Sequence, residues 1–393
     1  MKHRIRIASV SDIHLGYRAY SRVHMGRNQR ELDVERVWAD AVRQIIDCKP
    51  DIITIAGDVF HHPRVSMHAI MAFRDGLVRM GADTDAHIVV VQGNHDAGKT
   101  ADVLSPLELS RGLRNVSVHT EPRRIKIYAG DCPVLISTFP AKPWSKGRIA
   151  DEHTSCYEVT DNEESADFCM EVMHGAFQAG GTTKLASWYS EGAIKIDNSS
   201  ADLIALGDYH DHHILCAGPG GPFAYYSGSL EAVSGNKWID FDRGFLVVDC
   251  IQYASSDNWF FEDTFHQVCH REIVNLTIRG TRSAKKVNDA LGELAQKNVS
   301  KGKLCRLVAH DFPASEIKHI DTRLVREVKR HAQHFQLELR PPKYKPLDSV
   351  WGHNRGDADL ESRLKRVMSE ESADSQELAL LALAEAKEGE SCA

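Results

Sequence analysis

Five short apolar runs in this chain end in the same way, and that recurrence limits the fold more than any other feature. Residues 5–10 run into Ser11-Asp12-Ile13-His14, residues 51–56 into Gly57-Asp58-Val59-Phe60-His61-His62, and residues 87–92 into Gly93-Asn94-His95-Asp96. The run 168–173 meets His174-Gly175, and 202–206 meets Gly207-Asp208-Tyr209-His210. Helical patterns separate the first three: 31–46, with Val34, Val37, Trp38, Ala41 and Ile45 on one face, and 66–79. Strand and helix in alternation predict an α/β fold around a largely buried sheet. Loops at the carboxyl ends of such strands converge on one crevice, so polar groups spread over some two hundred positions would meet in space.

The chemistry of those groups is specific. Twenty-one histidines are present, and carboxylate, imidazole and amide oxygen together suit borderline divalent metals such as Mn²⁺, Fe²⁺ or Zn²⁺. A site for Mg²⁺ or Ca²⁺ alone would not use so much histidine. Gly57, Gly93 and Gly207 each precede the polar residue, where the backbone must turn and approach an ion closely. Two ions roughly 3.5–4 Å apart can clamp a phosphate ester and activate water for in-line attack. The nine cysteines form no C-x-x-C pattern, which excludes the familiar short-spaced zinc motifs and favours reduced thiols.

In this order, D-x-H, G-D-x-F-H, G-N-H-D, an isolated H-G and a G-x-x-H resemble the calcineurin-like metallophosphoesterases. Within them, the Gly57–His61 motif, Tyr226-Ser227-Gly228-Ser229-Leu230 and Arg243-Gly244-Phe245-Leu246-Val247-Val248 resemble the SbcD-type DNA-repair exonucleases. The resemblance implies a β-sandwich flanked by helices, with a small α/β capping domain. It also implies a site in which Asp12, His14 and His210 hold one metal, Asp58 bridges, and Asn94, His174 and Asp208 hold the other. His95 would be the general acid or a transition-state stabiliser, Asp96 would orient its ring, and His61 would touch the substrate phosphate. Mn²⁺ is the foremost cofactor implied, with Fe²⁺, Zn²⁺ or Mg²⁺ as alternatives. Position 208 departs from the usual G-H-x-H, because Asp stands where histidine is common. A second register, through His210-Asp211-His212, stays open, although the strand 202–206 runs directly into Gly207 and favours the first.

Charge divides the chain. Lys plus Arg minus Asp plus Glu is 26 − 36 = −10 for residues 1–269, 17 − 8 = +9 for 270–345, and 5 − 11 = −6 for 346–393. The expected parts are a nuclease domain, a basic capping and DNA-binding domain patterned strand, helix, strand, helix, strand, and a polar helical tail. A basic unit on an acidic body suits a polyanion, so DNA is the expected partner. Arg18, Arg22, Arg27 and Arg30, crowded after His14, are candidates for backbone phosphate contacts, with a solvated loop as the alternative. The resemblance adds an SMC-like ATPase, with a helix around residues 360–368 as its docking segment, and a homodimer. No window approaches a membrane span and no cleavage site comes after the N-terminal residues, so a cytoplasmic protein is expected. Metallophosphatase or cyclic-nucleotide phosphodiesterase activity is the alternative within the fold, and a non-catalytic DNA-end scaffold the alternative outside it.

Overall fold

A computed structural model describes residues 1–98, 103–141, 166–178, 194–196, 199–216, 221–233 and 242–342. Residues 1–340 form one compact unit, and a second begins at Pro341. Residues 141–166, whose acidic sequence with Pro143 and Gly147 reads as a surface excursion, and the tail helix expected around 360–368 fall, almost entirely, outside the described residues. The elements that shape the site are β1 (His3–Val10), α1 (Gln29–Asp47), β2 (Ile52–Ala56), α2 (Met67–Asp83), β3 (His87–Val91) and β4 (Val116–His119), then β5 (Arg123–Ala129), β6 (Cys132–Phe139), β7 (Phe168–His174), β8 (Leu203–Gly207), β9 (His213–Cys216) and β10 (Phe223–Tyr226). The antiparallel pair β11 (Gly244–Gln252) and β12 (Trp259–Gln267) closes the body.

Two six-stranded sheets stack. One has the order β12-β11-β1-β2-β3-β4 and the other β9-β10-β8-β7-β6-β5. β1 to β4 are mutually parallel, as are β6, β7, β8 and β10. Parallel strands covered on both faces read as unbroken apolar runs. In β2, Ile53 and Ile55 pack beneath α1 and α2, against Trp38, Phe73 and Leu77. Ile52 and Ala56 of the same strand point between the sheets, toward Met170, Val172 and Leu203. A hydroxyl chain crosses that apolar layer: Thr54 Oγ1 donates to Ser9 Oγ at 2.7 Å, and Ser9 Oγ lies 2.6 Å from Tyr225 Oη. Buried hydroxyls must find partners, so the chain fixes one register between the sheets.

The sequence pattern missed β4, β5, β9 and β12. In β12, Trp259, Phe261 and Phe265 alternate onto the sandwich core while Phe260 and Glu262 face out, the half-buried pattern of a sheet's last strand. The basic segment is a parallel sheet of β13 (Ile273–Ile278), β14 (Leu304–Ala309) and β15 (His334–Leu339), joined through α3 (Ala284–Ala295) and α4 (Thr322–His331). In the strand-helix-strand-helix-strand pattern of this unit the second helix reads as one element over 315–331, and it is instead a 3₁₀ turn, Ala314–His319, and then α4. Ile320 is extended, and the Asp321 carboxylate caps α4 by accepting the Arg323 N–H at 2.8 Å, so a strong N-cap restarts the helix.

Val287, Leu291, Leu307, Val328 and Phe335 give this segment its own apolar cluster, and buried charges join it to the body. Arg30, fully buried at the start of α1, reaches Asp33 at 2.9 Å and Glu231 at 3.1 Å. Arg271, just before β13, donates through Nε to Asp33 at 3.0 Å and through its backbone N–H to Glu231 at 3.0 Å. No helix among the described residues is long and apolar enough to cross a membrane. Removing one member of a buried charge network leaves its partners unpaired. Arg30→Ala is therefore expected to cost about 3–5 kcal/mol of stability in urea unfolding. A cost below about 0.5 kcal/mol, the range of ordinary surface changes, would mean that the network does not join the two parts.

Candidate metal centre

All five strand-end motifs lie just beyond strands of the two parallel blocks, and backbone hydrogen bonds lock their loops together. Asp12 N–H donates to the Gly57 carbonyl at 3.1 Å, His14 N–H to that of Asp58 at 2.9 Å, and Gly175 N–H to that of Gly207 at 3.1 Å. Asp12, His14, Asp58 and Asp208 all hold positive φ, at 52°, 53°, 49° and 99°. Asp and His enter that region more readily than most side chains, and four of them doing so at neighbouring strand ends mark a tightly constrained backbone. Glycine is required beside them mainly for space. A Cβ on Gly93 would lie 2.1 Å from the Asp58 nitrogen, and one on Gly207 only 1.8 Å from the Ala56 carbonyl oxygen. Gly57 alone of the three also needs its left-handed φ.

The side chains converge on Asp58. Its Oδ1 lies 3.3 Å from His174 Nε2 and its Oδ2 3.7 Å from His14 Nε2. His14 Nε2 and His210 Nε2 are 3.1 Å apart, His210 Nε2 is 3.8 Å from Asp12 Oδ1, and His174 Nε2 is 3.7 Å from Asp208 Oδ1. His174 Nδ1 donates to the Ala56 carbonyl at 2.8 Å, which turns Nε2 toward the carboxylates. The Asn94 amide oxygen sits 3.0 Å from that nitrogen and 3.1 and 3.2 Å from the two Asp58 oxygens. Turned over, the amide would donate to all three. With its oxygen inward the same amide would be a ligand, and two imidazoles, an amide oxygen and carboxylates within reach of one another make a donor set that fits a divalent metal.

Electrostatics point the same way. Burial pushes Asp12 up to about 8, with Asp58 adding to the shift, and burial drives His14 well below the usual histidine range and His210 down to about 4. Burial also opposes the charges of Asp58 and His174, but their mutual attraction wins, lowering Asp58 and raising His174. His174 and Asp58 thus favour each other's charged forms, and a divalent ion held between them would supply the same positive charge beside Asp58. Two ligand groups share Asp12: Asp12, His14 and His210, and Asp12, Asp58 and His174, each with ligand atoms within 4.8 Å of one another.

Residues 5–298 match the calcineurin-like phosphoesterase family. The chain belongs to that family. Curated relatives of this phosphoesterase include the DNA double-strand break repair protein Mre11 of Methanopyrus kandleri, 29% identical over 320 residues, which are 79% of this chain and 66% of that one. The protein of the same name from Methanocaldococcus jannaschii is 22% identical over 300 residues, 76% of each chain. That from Methanococcus maripaludis is 28% identical over 116 residues, 30% of each. The matches thus span from under a third to about three quarters of these relatives' lengths. Calcineurin-like phosphoesterases use divalent metals, and the two groups around Asp12 are where this member can hold them.

Several expected roles change in detail. Asp96 does not orient the His95 ring. Its carboxylate accepts the backbone N–H groups of Val59, Phe60 and Gly93, at 3.2, 2.7 and 2.8 Å, and so ties two metal-site loops together. The His95 ring is instead held by Nδ1, 2.7 Å from the His61 carbonyl, while its backbone N–H donates to Asp58 Oδ1 at 2.9 Å. The His61 ring stacks beside that of His95, with centroids 5.3 Å apart. His212 bonds the Tyr226 carbonyl at 3.1 Å and stacks on Phe265, whereas Asp208 and His210 join the cluster.

The arginines after His14 are largely structural. Arg22 donates to the carbonyls of Lys329, Arg330 and Ala332 at the end of α4, Arg27 pairs with Glu31 and Glu35, and Arg30 is buried. Arg18 pairs with Glu31 at 2.9 Å yet stays 60% exposed. The sequence did not reveal the supports of His210, whose carbonyl accepts from Arg243 and from the Ser229 N–H, both at 2.9 Å. The 226–230 and 243–248 segments, visible in the sequence only as points of resemblance, carry that support. Asp208→Ala is expected to lower bound Mn²⁺ at least tenfold by isothermal titration, whereas His212→Ala keeps it. The reverse pattern would show that His212 is the ligand.

Proposed function

We propose that this calcineurin-like phosphoesterase is a metal-dependent DNA nuclease that hydrolyses phosphodiester bonds at DNA ends, acting with two divalent ions, Mn²⁺ foremost. The observation that carries the reading is Asp58, whose two carboxylate oxygens face His174 and His14, one in each half of the cluster, as a bridging ligand's would. Asp12, His14 and His210 would hold one ion, and Asn94, His174 and Asp208 the other. Bound there, the ions would polarise the scissile phosphate and activate the attacking water.

The chain's own residues supply the rest. With Nδ1–H given to the His61 carbonyl, the His95 ring presents Nε2 to the site, and in its doubly protonated form it would hand that second proton to the departing oxygen. Its backbone N–H on Asp58 fixes that ring relative to the metal ligands, so proton donor and phosphate would be held in one geometry. His61, packed between the rings of Tyr17 and His95, would touch a phosphate oxygen, and Arg18 keeps an exposed guanidinium nearby in sequence. Substrate choice rests on the basic segment. Arg279, Arg282, Lys285, Lys286 and Lys301 are exposed and have no acidic partner among the described residues, which favours a polyanion over a small phosphomonoester.

The relatives' role in double-strand break repair supports the same substrate. An SMC-like ATPase partner is implied by the resemblance, and a homodimer is favoured by Met67, Met71 and Val78, apolar and exposed along α2. With Mn²⁺, the purified protein is expected to cut labelled duplex DNA, and His95→Asn to lose at least a hundredfold in rate while still binding DNA. Hydrolysis of p-nitrophenyl phosphate or a cyclic nucleotide but not DNA would indicate a phosphatase. DNA binding with no turnover would indicate a scaffold. DNA affinity should fall steeply and linearly in log–log form with salt, and a flat response would remove the basic segment from the interface.

A further inference from the structure

At the far end of β1 from the phosphoesterase centre, three side chains of metal-ligand type meet across both sheets. His3 opens β1, Cys132 opens β6, and Asp167 immediately precedes β7. A ligand atom from each lies within 4.8 Å of the other two. His3 Nε2 is 3.4 Å from Asp167 Oδ2. That spacing suits two corners of a tetrahedron around zinc, which lie about 3.3–3.6 Å apart at usual Zn–N and Zn–O lengths.

The surroundings hold each group in place. Strand register sets His3, Gln252 and Trp259 in one row across β1, β11 and β12, and the His3 ring lies along the Trp259 indole with centroids 6.4 Å apart. Trp259 Nε1–H donates to the Asp167 carbonyl at 2.9 Å, and Asp167 N–H donates to the Pro133 carbonyl at 3.0 Å, so Asp167 is pinned beside the strand that carries Cys132. Cys132 is 1% exposed, and among the described residues its thiol makes one long contact, 3.9 Å, to the Pro133 carbonyl. Asp167 is 42% exposed and gives an ion a way in.

We propose that His3, Cys132 and Asp167 form a second metal site, selective for a borderline-soft cation of the zinc type, that clips the edge of β1 to the β6–β7 edge of the other sheet. Sulfur, nitrogen and oxygen supply three ligands, and water takes the fourth position. On binding, the Cys132 thiol proton leaves to solvent and the sulfur lone pair goes to the ion, with no change of oxidation state. The rise of β1 separates the two sites by roughly 23 Å, and their donors differ: thiolate here, carboxylate and imidazole without sulfur at the other. Each can therefore be loaded and read separately.

Cobalt(II) in a thiolate site gives a near-ultraviolet sulfur-to-metal charge-transfer band that the phosphoesterase centre, with no cysteine among its residues, does not give. Full-length protein stripped by a chelator and titrated with Co²⁺ is expected to show the band, as is Asp58→Asn. Cys132→Ser should lose it while still binding Co²⁺ at the other centre, and added Zn²⁺ should bleach it by displacement. A folded wild-type protein without the band, or a band that survives in Cys132→Ser, overturns the proposal. If circular dichroism shows that Cys132→Ser does not fold, His3→Gln decides: an unchanged band and unchanged zinc content overturn the site, and a weakened band with one zinc fewer per chain supports it.

Discussion

The Asp58 carboxylate holds its place because several elements constrain it at once. Its residue is forced to a φ of 49°, its oxygens face His174 and His14, and one of them accepts the His95 N–H. Its backbone carbonyl accepts from His14, and the neighbouring Gly93 leaves no room for a Cβ beside its nitrogen. Asp96 then ties Val59 and Phe60, the next two residues, to Gly93. Burial alone would make so deep a carboxylate costly to ionise, and the attraction of His174 offsets that cost. A divalent ion held by the same groups would offset it in the same way. The strain and close packing around residue 58 therefore reflect the cost of holding ligands ready for an ion.

The sandwich makes that preorganisation possible. His14 and Asp58 come after strands of one sheet, whereas His174 and Asp208 lie at the ends of strands of the other, so the centre spans the two layers. The Thr54–Ser9–Tyr225 hydroxyl chain fixes the layers in register a few residues below it. A slip between the sheets would separate His174 from Asp58 and leave those hydroxyls unpaired inside an apolar core, which couples the fold's stability to the geometry of the site. The 226–230 segment acts similarly from the side: Ser227 donates to Ser11, next to Asp12, while Ser229 and Arg243 hold the His210 carbonyl.

Side-chain chemistry at strand ends was legible in the chain because parallel strands buried on both faces are plain apolar runs, and the residues just past each run must sit at the same edge. Asp12, His14, Asp58, Asn94, His174, Asp208 and His210 came from that logic and from the family resemblance, and the fold brings them together. Backbone groups were not legible. The carbonyls of His61 and Ala56 orient the His95 and His174 rings, and any residue type would supply them. Arginines were misread for a related reason. Arg22 and Arg30 look like phosphate ligands when only charge is counted, and three-dimensional neighbours show that carbonyl oxygens, Asp33 and Glu231 occupy them.

The same limit explains why a second cluster at the other end of β1 leaves no mark in the sequence. Short zinc motifs are recognisable because one turn supplies two ligands, so spacing alone betrays them. His3, Cys132 and Asp167 lie far apart in the chain and are joined only by sheet stacking and by the Trp259 contacts that pin two of them. A sandwich of two mixed sheets brings such distant positions together at each end of its strands. At one end the loops leave parallel strands at their carboxyl edges and carry carboxylates and imidazoles. At the other, where strands begin, a thiol joins one imidazole and one carboxylate, and the ligand set is softer. The two ends therefore differ in the chemistry of what they gather: carboxylates and imidazoles at one, and a thiol with an imidazole and a carboxylate at the other.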